Sequence, residues 1–197
     1  MSKIITRKNG SKKDVITRKA SALFRKKGFS ATSMRDIAES IGIEAPSLYN
    51  HIQSKNEILI DLCFNMARLF TDFLKEVEYT PGSNLSKIES IIRFHISMMI
   101  DEFESVYISN HEWKHLPEPH LGEFKNQRRN YRLRLAAILQ KGIDKKEIRR
   151  VNATISVHTI LSAINGIEDW QKSGRKVDAK LIEENIIQIL IEGLKNK

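Results

Sequence analysis

The sequence has 197 residues, of which 41% are hydrophobic and 29% are charged, and its formal net charge is +9 at pH 7. This balance is typical of a folded protein of one or two domains, and it excludes intrinsic disorder and low-complexity repeats. The single cysteine, Cys63, and the lack of an apolar run long enough to span a bilayer predict a cytoplasmic protein without a disulfide framework or a membrane partner.

The first helix is predicted to follow a loose basic arm over residues 1–10. It begins near Ser11, which is spaced to form a capping box with Asp14. It ends at Gly28, since a residue without Cβ closes a helix readily. For the arm, a frayed terminus and an additional phosphate contact both remain open.

Two more short helices follow. One covers about residues 34–41, with Ser33 as its N-cap and a tight turn at Gly42. The other covers about residues 45–51 and has Pro46 in its first turn, where a missing N–H costs nothing. The apolar side chains of both helices can share one small core, which leaves an outer face of small or hydrogen-bonding residues: Ala45, Pro46, Ser47, Tyr49, Asn50 and His51. Such a helix, held on a partner helix, fits the major groove of DNA.

Charge is concentrated at the same end of the chain. Residues 1–55 hold twelve Lys and Arg residues against four acidic ones, which accounts for eight of the nine net positive charges. The remaining residues are nearly neutral. A basic head on a neutral body indicates where a polyanion binds, since Lys and Arg release counterions when they contact phosphates.

Residues 32–57 carry a family resemblance. They read T-S-M-R-D-I-A-E-S-I-G-I-E-A-P-S-L-Y-N-H-I-Q-S-K-N-E, which closely resembles the N-terminal helix-turn-helix of TetR-type transcriptional regulators. The only departure in the motif is Ile52, where that family usually has Phe. The resemblance implies a non-enzymatic, all-α protein of about nine helices. It also implies a helix-turn-helix DNA-binding domain over residues 1–54, with the basic arm, and a helical effector-binding and dimerisation domain over residues 55–197.

The helix-turn-helix predicts a DNA-binding surface. Ser47 and Asn50 are expected to reach base edges, whereas Tyr49, His51 and Lys55 are expected to bind phosphates. The full predicted set is Thr32, Ser33, Arg35, Ala45, Pro46, Ser47, Tyr49, Asn50, His51 and Lys55.

The body is predicted to contain helices over about residues 55–77, 84–104, a segment through Trp113, 119–142, 152–172 and 178–195. The middle helices carry side chains suited to a ligand pocket: Met99, Phe103, Tyr107, Asn110, Trp113, Arg128, Tyr131 and Asn165. Methionines and aromatics at helical spacing also suit a core, so that interpretation stays open.

The last two predicted helices are apolar on more than one face. A surface helix needs a single apolar stripe, so the additional apolar surface predicts a partner, as in a two-fold four-helix bundle. The resemblance also implies a homodimer built from these helices. The predicted interface residues are Ile160, Ile164, Ile167, Ile186, Leu190 and Leu194. A monomer in which both helices are central remains the alternative.

One motif favours a different class of protein. The run His111-Glu112-Trp113-Lys114-His115 is the H-E-x-x-H pattern of zinc metalloproteases. Pro117 and Pro119 follow at once, and they interrupt the continuous helix that this chemistry needs. A zinc hydrolase is therefore only the alternative hypothesis, and we expect no metal or other cofactor.

Residues 123–169 carry a finer resemblance. The runs F-K-N-Q-R-R-N-Y, I-L-Q-K-G-I-D-K-K-E-I-R and A-I-N-G-I-x-x-W resemble the TetR subgroup that responds to acyl-coenzyme A, although that subgroup often has Phe at the position of Ile148. Such a ligand needs an apolar tunnel and cations for its phosphates. Arg128, Arg129, Arg132 and Arg134 could supply those cations, or they could form a solvated helix face.

The predicted function is therefore a homodimeric repressor that binds a palindromic operator in double-stranded DNA. A small hydrophobic effector, such as an acyl-coenzyme A, is expected to release it. A drug or small lipid as effector, and a DNA-binding regulator without a ligand, are the alternatives.

Overall fold

The computed structural model describes residues 11–173 and 178–196, and every named element in that part of the chain is helical. The α-helices are α1 (Lys12–Lys27), α2 (Met34–Ser40), α3 (Ala45–Tyr49), α4 (Lys55–Tyr79), α5 (Asn84–Asp101), α6 (Phe103–His111), α7 (His120–Asp144), α8 (Ala153–Asn165), α9 (Ile167–Lys172) and α10 (Ala179–Leu194). A 3₁₀ turn over Trp113–His115 follows α6. The all-α prediction is confirmed, while the predicted basic arm lies outside the described residues.

Two predicted helices end differently in the structure. The helix expected over 152–172 is divided at Gly166 into α8 and α9, which form one bent rod. With these two counted together, the described residues contain the nine helices that were predicted. The helix expected to run through Trp113 ends at His111 instead.

Side-chain caps fix the starts of the first helices. The Ser11 hydroxyl accepts a hydrogen bond from the Asp14 N–H, and the Asp14 carboxylate accepts one from the Ser11 N–H at 2.7 Å. Ser33 and Asp36 form the same capping box at the start of α2. Lys27 donates to the Asp36 carboxylate at 2.7 Å, and this contact holds the pKa of Asp36 well below its usual range.

The turn between α2 and α3 requires a glycine. Gly42 has a φ of 72°, which is unfavourable for a residue with a Cβ. Directly after it, the Ile43 N–H donates to the Ala38 carbonyl at 3.1 Å. The orientation of α3 against α2 is therefore set by the backbone.

The head (residues 11–54) and the body (residues 55–196) share a hydrophobic core. This head core joins residues of α1, α2 and α3 to others from α4, α6 and α7, and includes Ile16, Ala20, Phe24, Ile37, Leu48, Ile52, Ile58, Leu59, Leu62, Ile108 and Phe124. A second core lies entirely within the body, between α4, α5, α7, α8 and α10. The domain boundary between residues 54 and 55 stays a prediction, because the packing is continuous across it.

Ion pairs reinforce the junction of head and body. Lys13 on α1 lies 2.9 Å from carboxylate oxygens of both Glu57 and Asp61 on α4. Arg25, near the end of α1, lies 3.7 Å from Glu104 of α6, and its guanidinium is 5.5 Å from the centre of the Phe103 ring. Helices α1 and α6 are therefore held together by charge as well as by apolar contact.

None of the described helices is both long enough and apolar enough to cross a membrane.

Candidate nucleic-acid interface and ligand cavity

The outer face of α3 is polar and accessible. Leu48 is fully buried and anchors the helix, whereas Ser47, Tyr49, Asn50 and His51 are exposed. Tyr49 keeps 51% of its surface accessible. Pro46 is also exposed, while Ala45 is half-buried against the head core. A helix of this width fits a major groove about 12 Å wide, with its hydroxyl, amide and imidazole groups directed outwards.

The predicted contacts at the start of α2 differ in accessibility. Ser33 and Arg35 are exposed, and the Arg35 side chain pairs at 3.1 Å with Glu39, which is exposed as well. Thr32, in contrast, is 1% exposed, and its hydroxyl donates to the Gly28 carbonyl at 2.8 Å. The Thr32 side chain therefore closes the end of α1, so we withdraw it from the predicted DNA-contacting set.

Lys55 also has a structural partner. Its ammonium group donates to the carbonyl oxygens of Phe29 at 2.9 Å, Ser30 at 3.2 Å and Thr32 at 2.9 Å. It also lies 4.6 Å from the centre of the Phe29 ring. An ammonium group has three N–H donors, so these carbonyls use its whole capacity. Lys55 ties the loop between α1 and α2 to the start of α4, a role that sequence spacing cannot reveal.

A cavity of about 220 Å³ lies inside the body, between α4, α5, α6, α7 and α8. Its described lining contains no Asp or Glu: Ala67, Phe70, Thr71, His95, Met99, Val106, Ser109, Asn110, Phe124, Gln127, Arg128, Tyr131, Arg132, His158, Leu161, Ser162 and Asn165. Eleven of these seventeen side chains carry a polar atom and six are apolar, so the cavity suits a ligand that combines hydrogen-bonding groups with an apolar part.

The cavity contains part of the predicted pocket. Met99, Asn110, Arg128, Tyr131 and Asn165 line it, whereas Phe103, Tyr107 and Trp113 do not. Phe103 is buried beside Arg25 of α1, so it faces the head. Tyr107 packs against His111 and Lys172, and Trp113 packs on Phe124 in the head core.

Sequence reasoning missed His95 and His158 as lining residues. His95 lies among apolar residues of α5, and an isolated histidine on such a face is a usable signal. The His95 Nε2 atom lies 2.7 Å from the Tyr131 hydroxyl oxygen. Burial lowers the pKa of His95 to about 4 and raises the pKa of Tyr131 above its usual range, so both side chains are neutral near pH 7.

The four candidate arginines of α7 have different surroundings. Arg128 and Arg132 line the cavity, and neither has a carboxylate partner in the described part of the chain. Arg128 donates to the Ser109 carbonyl at 3.0 Å, and burial lowers the pKa of its guanidinium. Arg134 is instead paired with Glu78, at 3.0 Å and 2.6 Å, and Arg129 is exposed.

The predicted dimer interface requires a correction. Ile160, Ile164 and Ile167 are at most 3% exposed, and Leu194 is 7% exposed, because they pack into the body core. Ile186 and Leu190 are half-buried against the same core. The accessible apolar side chains on these helices are Ile155, Trp170, Leu181 and Ile189. Ile160, Ile164, Ile167 and Leu194 are therefore core residues, which the sequence pattern did not reveal because apolar side chains cover more than one face of both helices. Ile186 and Leu190 stay predicted interface residues.

The H-E-x-x-H run does not lie on one helix. His111 ends α6, and its Nε2 atom is 2.8 Å from the buried carboxylate of Glu168. His115 belongs to the 3₁₀ turn and stacks on Phe29 at 5.5 Å. The two imidazoles therefore have separate partners in different parts of the protein, and no group of three metal-ligating side chains occurs among the described residues.

A basic helix-turn-helix head on an all-helical body with an internal cavity defines a class of DNA-binding transcriptional regulators. Comparison with known proteins identifies the family. Residues 16–62 match the tetR family of bacterial regulatory proteins, and residues 81–194 match the tetracyclin repressor-like C-terminal domain. The chain belongs to the TetR family of transcriptional regulators, and its members of known role are regulators rather than enzymes.

Individual relatives match over nearly their whole length. The HTH-type transcriptional repressor KstR2 of Mycolicibacterium smegmatis is 25% identical over 190 residues, which cover 93% of this chain and 91% of that protein. The structure of the ketosteroid transcriptional regulator KstR2 of Mycobacterium tuberculosis has a TM-score of 0.89 at 20% identity, covering 96% of this chain and 98% of that one. AibR in complex with isovaleryl coenzyme A and operator DNA has a TM-score of 0.80 at 21% identity, covering 92% and 98%. The two structures establish the fold alone.

The contacts of Lys55 give a testable prediction. Lys55→Ala is expected to lower the free energy of unfolding by about 1 kcal/mol, because two partly buried carbonyl oxygens and one exposed one lose a charged donor. Urea titration followed by circular dichroism measures the change. Lys19→Ala removes an exposed lysine of α1 and should alter the stability by less than about 0.5 kcal/mol. Unchanged stability of Lys55→Ala, with a flatter salt dependence of DNA binding, would assign Lys55 to a phosphate instead.

Proposed function

We propose that this TetR-family protein is a homodimeric repressor. In this proposal it binds a palindromic operator through α3 and leaves it when a small acyl-coenzyme A occupies the cavity. The observation that carries the proposal is the polar, accessible face of α3, in a segment, residues 1–55, that holds eight of the nine net positive charges. The relatives named as repressors support the sign of regulation.

The DNA contacts follow from the chemistry of the exposed side chains. Ser47 and Asn50 can form hydrogen bonds with base edges, and an Asn amide suits the N6 and N7 atoms of adenine. Tyr49, His51 and Arg35 are placed to bind phosphates on either side, with the Ser33 end of α2 adding backbone N–H groups. The head thus combines sequence readout with sequence-independent attraction.

The dimer is proposed to form through the exposed faces of α8, α9 and α10. Ile155 and Ile189 are 65% and 72% exposed in the single chain, and Leu181 and Trp170 are 54% and 42% exposed. Their burial against a second copy would remove apolar surface from water and produce a four-helix bundle. A two-fold dimer then presents two α3 helices to successive major grooves, about one helical turn apart.

The effector is proposed from the cavity and its surroundings. An acidic lining would repel phosphates, whereas this lining has two guanidinium groups and, beside several neutral polar groups, six apolar side chains. A more open groove of about 730 Å³ between α4 and α7 shares Ala67, Thr71, Gln127 and Tyr131 with the cavity. A short acyl group would occupy the cavity, and the coenzyme A moiety would extend outwards past Arg132. The acyl-coenzyme A that accompanies AibR and operator DNA supports this ligand class.

The ligand is proposed to cause release of DNA by moving α6. Val106 and Asn110 of α6 line the cavity, while Ile108 of the same helix lies in the head core and Glu104 contacts Arg25 of α1. A ligand that moves α6 therefore also moves the head, which alters the spacing of the two α3 helices. A ligand shifts this equilibrium only by its differential affinity for the two forms.

The DNA-reading role is tested with Asn50→Ala. This change should weaken binding to an operator selected in vitro by roughly 5- to 100-fold, and should affect a scrambled duplex far less, because one base contact is lost. Fluorescence anisotropy measures both affinities. Asn126→Ala, an exposed asparagine on α7, is the matched control. Equal losses on both duplexes would assign Asn50 to a phosphate, and no loss on either would remove α3 from the interface.

The dimer is tested with Ile189→Glu. A charge in an apolar contact should raise the dimer dissociation constant by on the order of 100-fold or more, and operator affinity should fall with it. Sedimentation equilibrium measures the association. Leu133→Glu makes the same change at an exposed leucine of α7, outside the proposed interface, and should leave the dimer intact. A wild-type protein that stays monomeric at about 10 µM, or a dimer indifferent to Ile189→Glu, would contradict the proposed interface.

The effector class is tested by thermal shift with saturated acyl-coenzyme A of increasing chain length. Stabilisation should peak at short chains, because about 220 Å³ holds roughly seven water-sized groups. At a hundred times its dissociation constant, the ligand should add about 2.7 kcal/mol. Arg132→Gln should weaken binding by roughly 10-fold, whereas Arg129→Gln, at the exposed neighbour, should change it little. Equal effects of the two variants, or no stabilisation by any chain length, would contradict the proposed ligand.

A further inference from the structure

Two polar side chains of the cavity wall are joined to each other and packed between aromatic rings. His95 of α5 and Tyr131 of α7 both line the cavity and are joined by the 2.7 Å contact between imidazole and hydroxyl. His95 also stacks on Phe70, with ring centres 4.4 Å apart and planes 22° apart. Tyr131 meets the same Phe70 ring edge-on at 6.3 Å. The pair is therefore fixed in position by aromatic packing on the cavity side of α4, α5 and α7.

An imidazole and a phenol that are hydrogen-bonded to each other can still form one hydrogen bond with a ligand. If the Tyr131 hydroxyl donates to His95 Nε2, the phenol oxygen can accept a hydrogen bond from a ligand hydroxyl. If His95 Nε2–H donates to the phenol oxygen, the Tyr131 hydroxyl can donate to a ligand carbonyl. The tautomer of His95 thus decides whether the pair presents an acceptor or a donor. Neither arrangement requires a charge on the ligand.

The cavity wall contains cationic side chains as well as the neutral His95–Tyr131 pair. Arg128 and Arg132 lie one turn apart on α7 and offer charge to an anionic group. The His95–Tyr131 pair has no acidic neighbour in the described lining, and burial disfavours the charged form of both partners. A carboxylate would therefore favour the arginines. An uncharged oxygen on the buried part of the ligand would favour the pair.

We propose that the His95–Tyr131 pair is the specificity-determining element of the cavity and selects acyl groups that carry a neutral keto or hydroxyl oxygen over plain alkyl chains. This inference rests on the proposed function, in which the cavity holds the acyl part of an acyl-coenzyme A. It narrows that ligand class to short acyl groups oxidised on the chain. The Tyr131 hydroxyl can form a hydrogen bond with a keto or hydroxyl oxygen of the ligand. A saturated chain offers no such partner, so it binds less tightly.

The test compares how the wild type and Tyr131→Phe bind a keto ligand and the alkyl ligand of equal length. Butyryl- and acetoacetyl-coenzyme A have chains of equal length and differ by one keto oxygen, and hexanoyl- and β-ketohexanoyl-coenzyme A extend the comparison. Isothermal titration calorimetry with the full chain should give at least about 10-fold tighter binding of each keto ligand by the wild type. Tyr131→Phe should reduce that ratio to about one by weakening the keto ligand alone. The matched control, Tyr79→Phe, removes the same hydroxyl from an exposed tyrosine outside the cavity and should preserve the ratio.

A second variant and the pH dependence make the test independent of folding defects. His95→Gln keeps a neutral donor and acceptor and should retain part of the discrimination, whereas His95→Leu should abolish it. Because the imidazole charges only as the pH falls towards a pKa of about 4, the ratio should stay constant from about pH 6 to about pH 7, where the β-keto thioester is uncharged as well. A ratio that changes across that range would mean a charged pair and would overturn the proposal.

The possible outcomes distinguish failure of the keto selectivity from failure of the acyl-coenzyme A effector class. Equal affinity for keto and alkyl ligands in the wild type, with both bound tightly, overturns the selectivity and leaves the proposed effector class standing. No binding of either series overturns the effector class and the selectivity together. A tenfold preference that survives Tyr131→Phe and His95→Leu places the selecting group elsewhere in the cavity and also overturns the proposal.

Discussion

Helix α6 is packed on both sides, and this constraint links the two ends of the molecule. Towards the body, Val106 and Asn110 form cavity wall, and towards the head, Ile108 is fully buried in the head core. Arg25 of α1 adds its contacts with Phe103 and Glu104 of α6. Close-packed interiors move as units, so a displacement of α6 at the cavity is felt by the head.

The positive charge of residues 1–55 serves two purposes that the sequence alone does not separate. Lys13, Lys27 and Lys55 hold the fold together through Glu57, Asp61, Asp36 and the carbonyls of residues 29–32. Exposed cations such as Arg35 remain available to a polyanion. Net charge favours this end of the chain as the part that attracts DNA. It overstates how many individual cations are available to phosphates.

The sequence predicted those features that depend on local interactions. Ser11 and Ser33 begin helices because their side chains accept N–H groups within one turn, and Gly42 adopts a backbone conformation that glycine favours. The polar face of α3 was also predictable, since one buried leucine determines which side faces outwards. These features need no knowledge of distant residues.

The missed features depend on contacts between distant parts of the chain. Lys55 reaches carbonyls more than twenty positions earlier, and Phe103 faces α1 rather than the cavity. On α8 and α10, apolar side chains surround the helix, so periodicity does not distinguish the face that packs inside, with Ile160, from the face left accessible, with Ile189. His95 was overlooked because its partner, Tyr131, lies on another helix.

Coupling between the cavity and the DNA surface is the central claim, and thermodynamic linkage tests it directly. The affinity of a short acyl-coenzyme A is measured by calorimetry with the free protein and with the protein saturated by its operator duplex. The account predicts weaker binding in the presence of the operator, by the factor that the ligand imposes on DNA affinity, typically 5- to 150-fold. Identical affinities in the two titrations would contradict it.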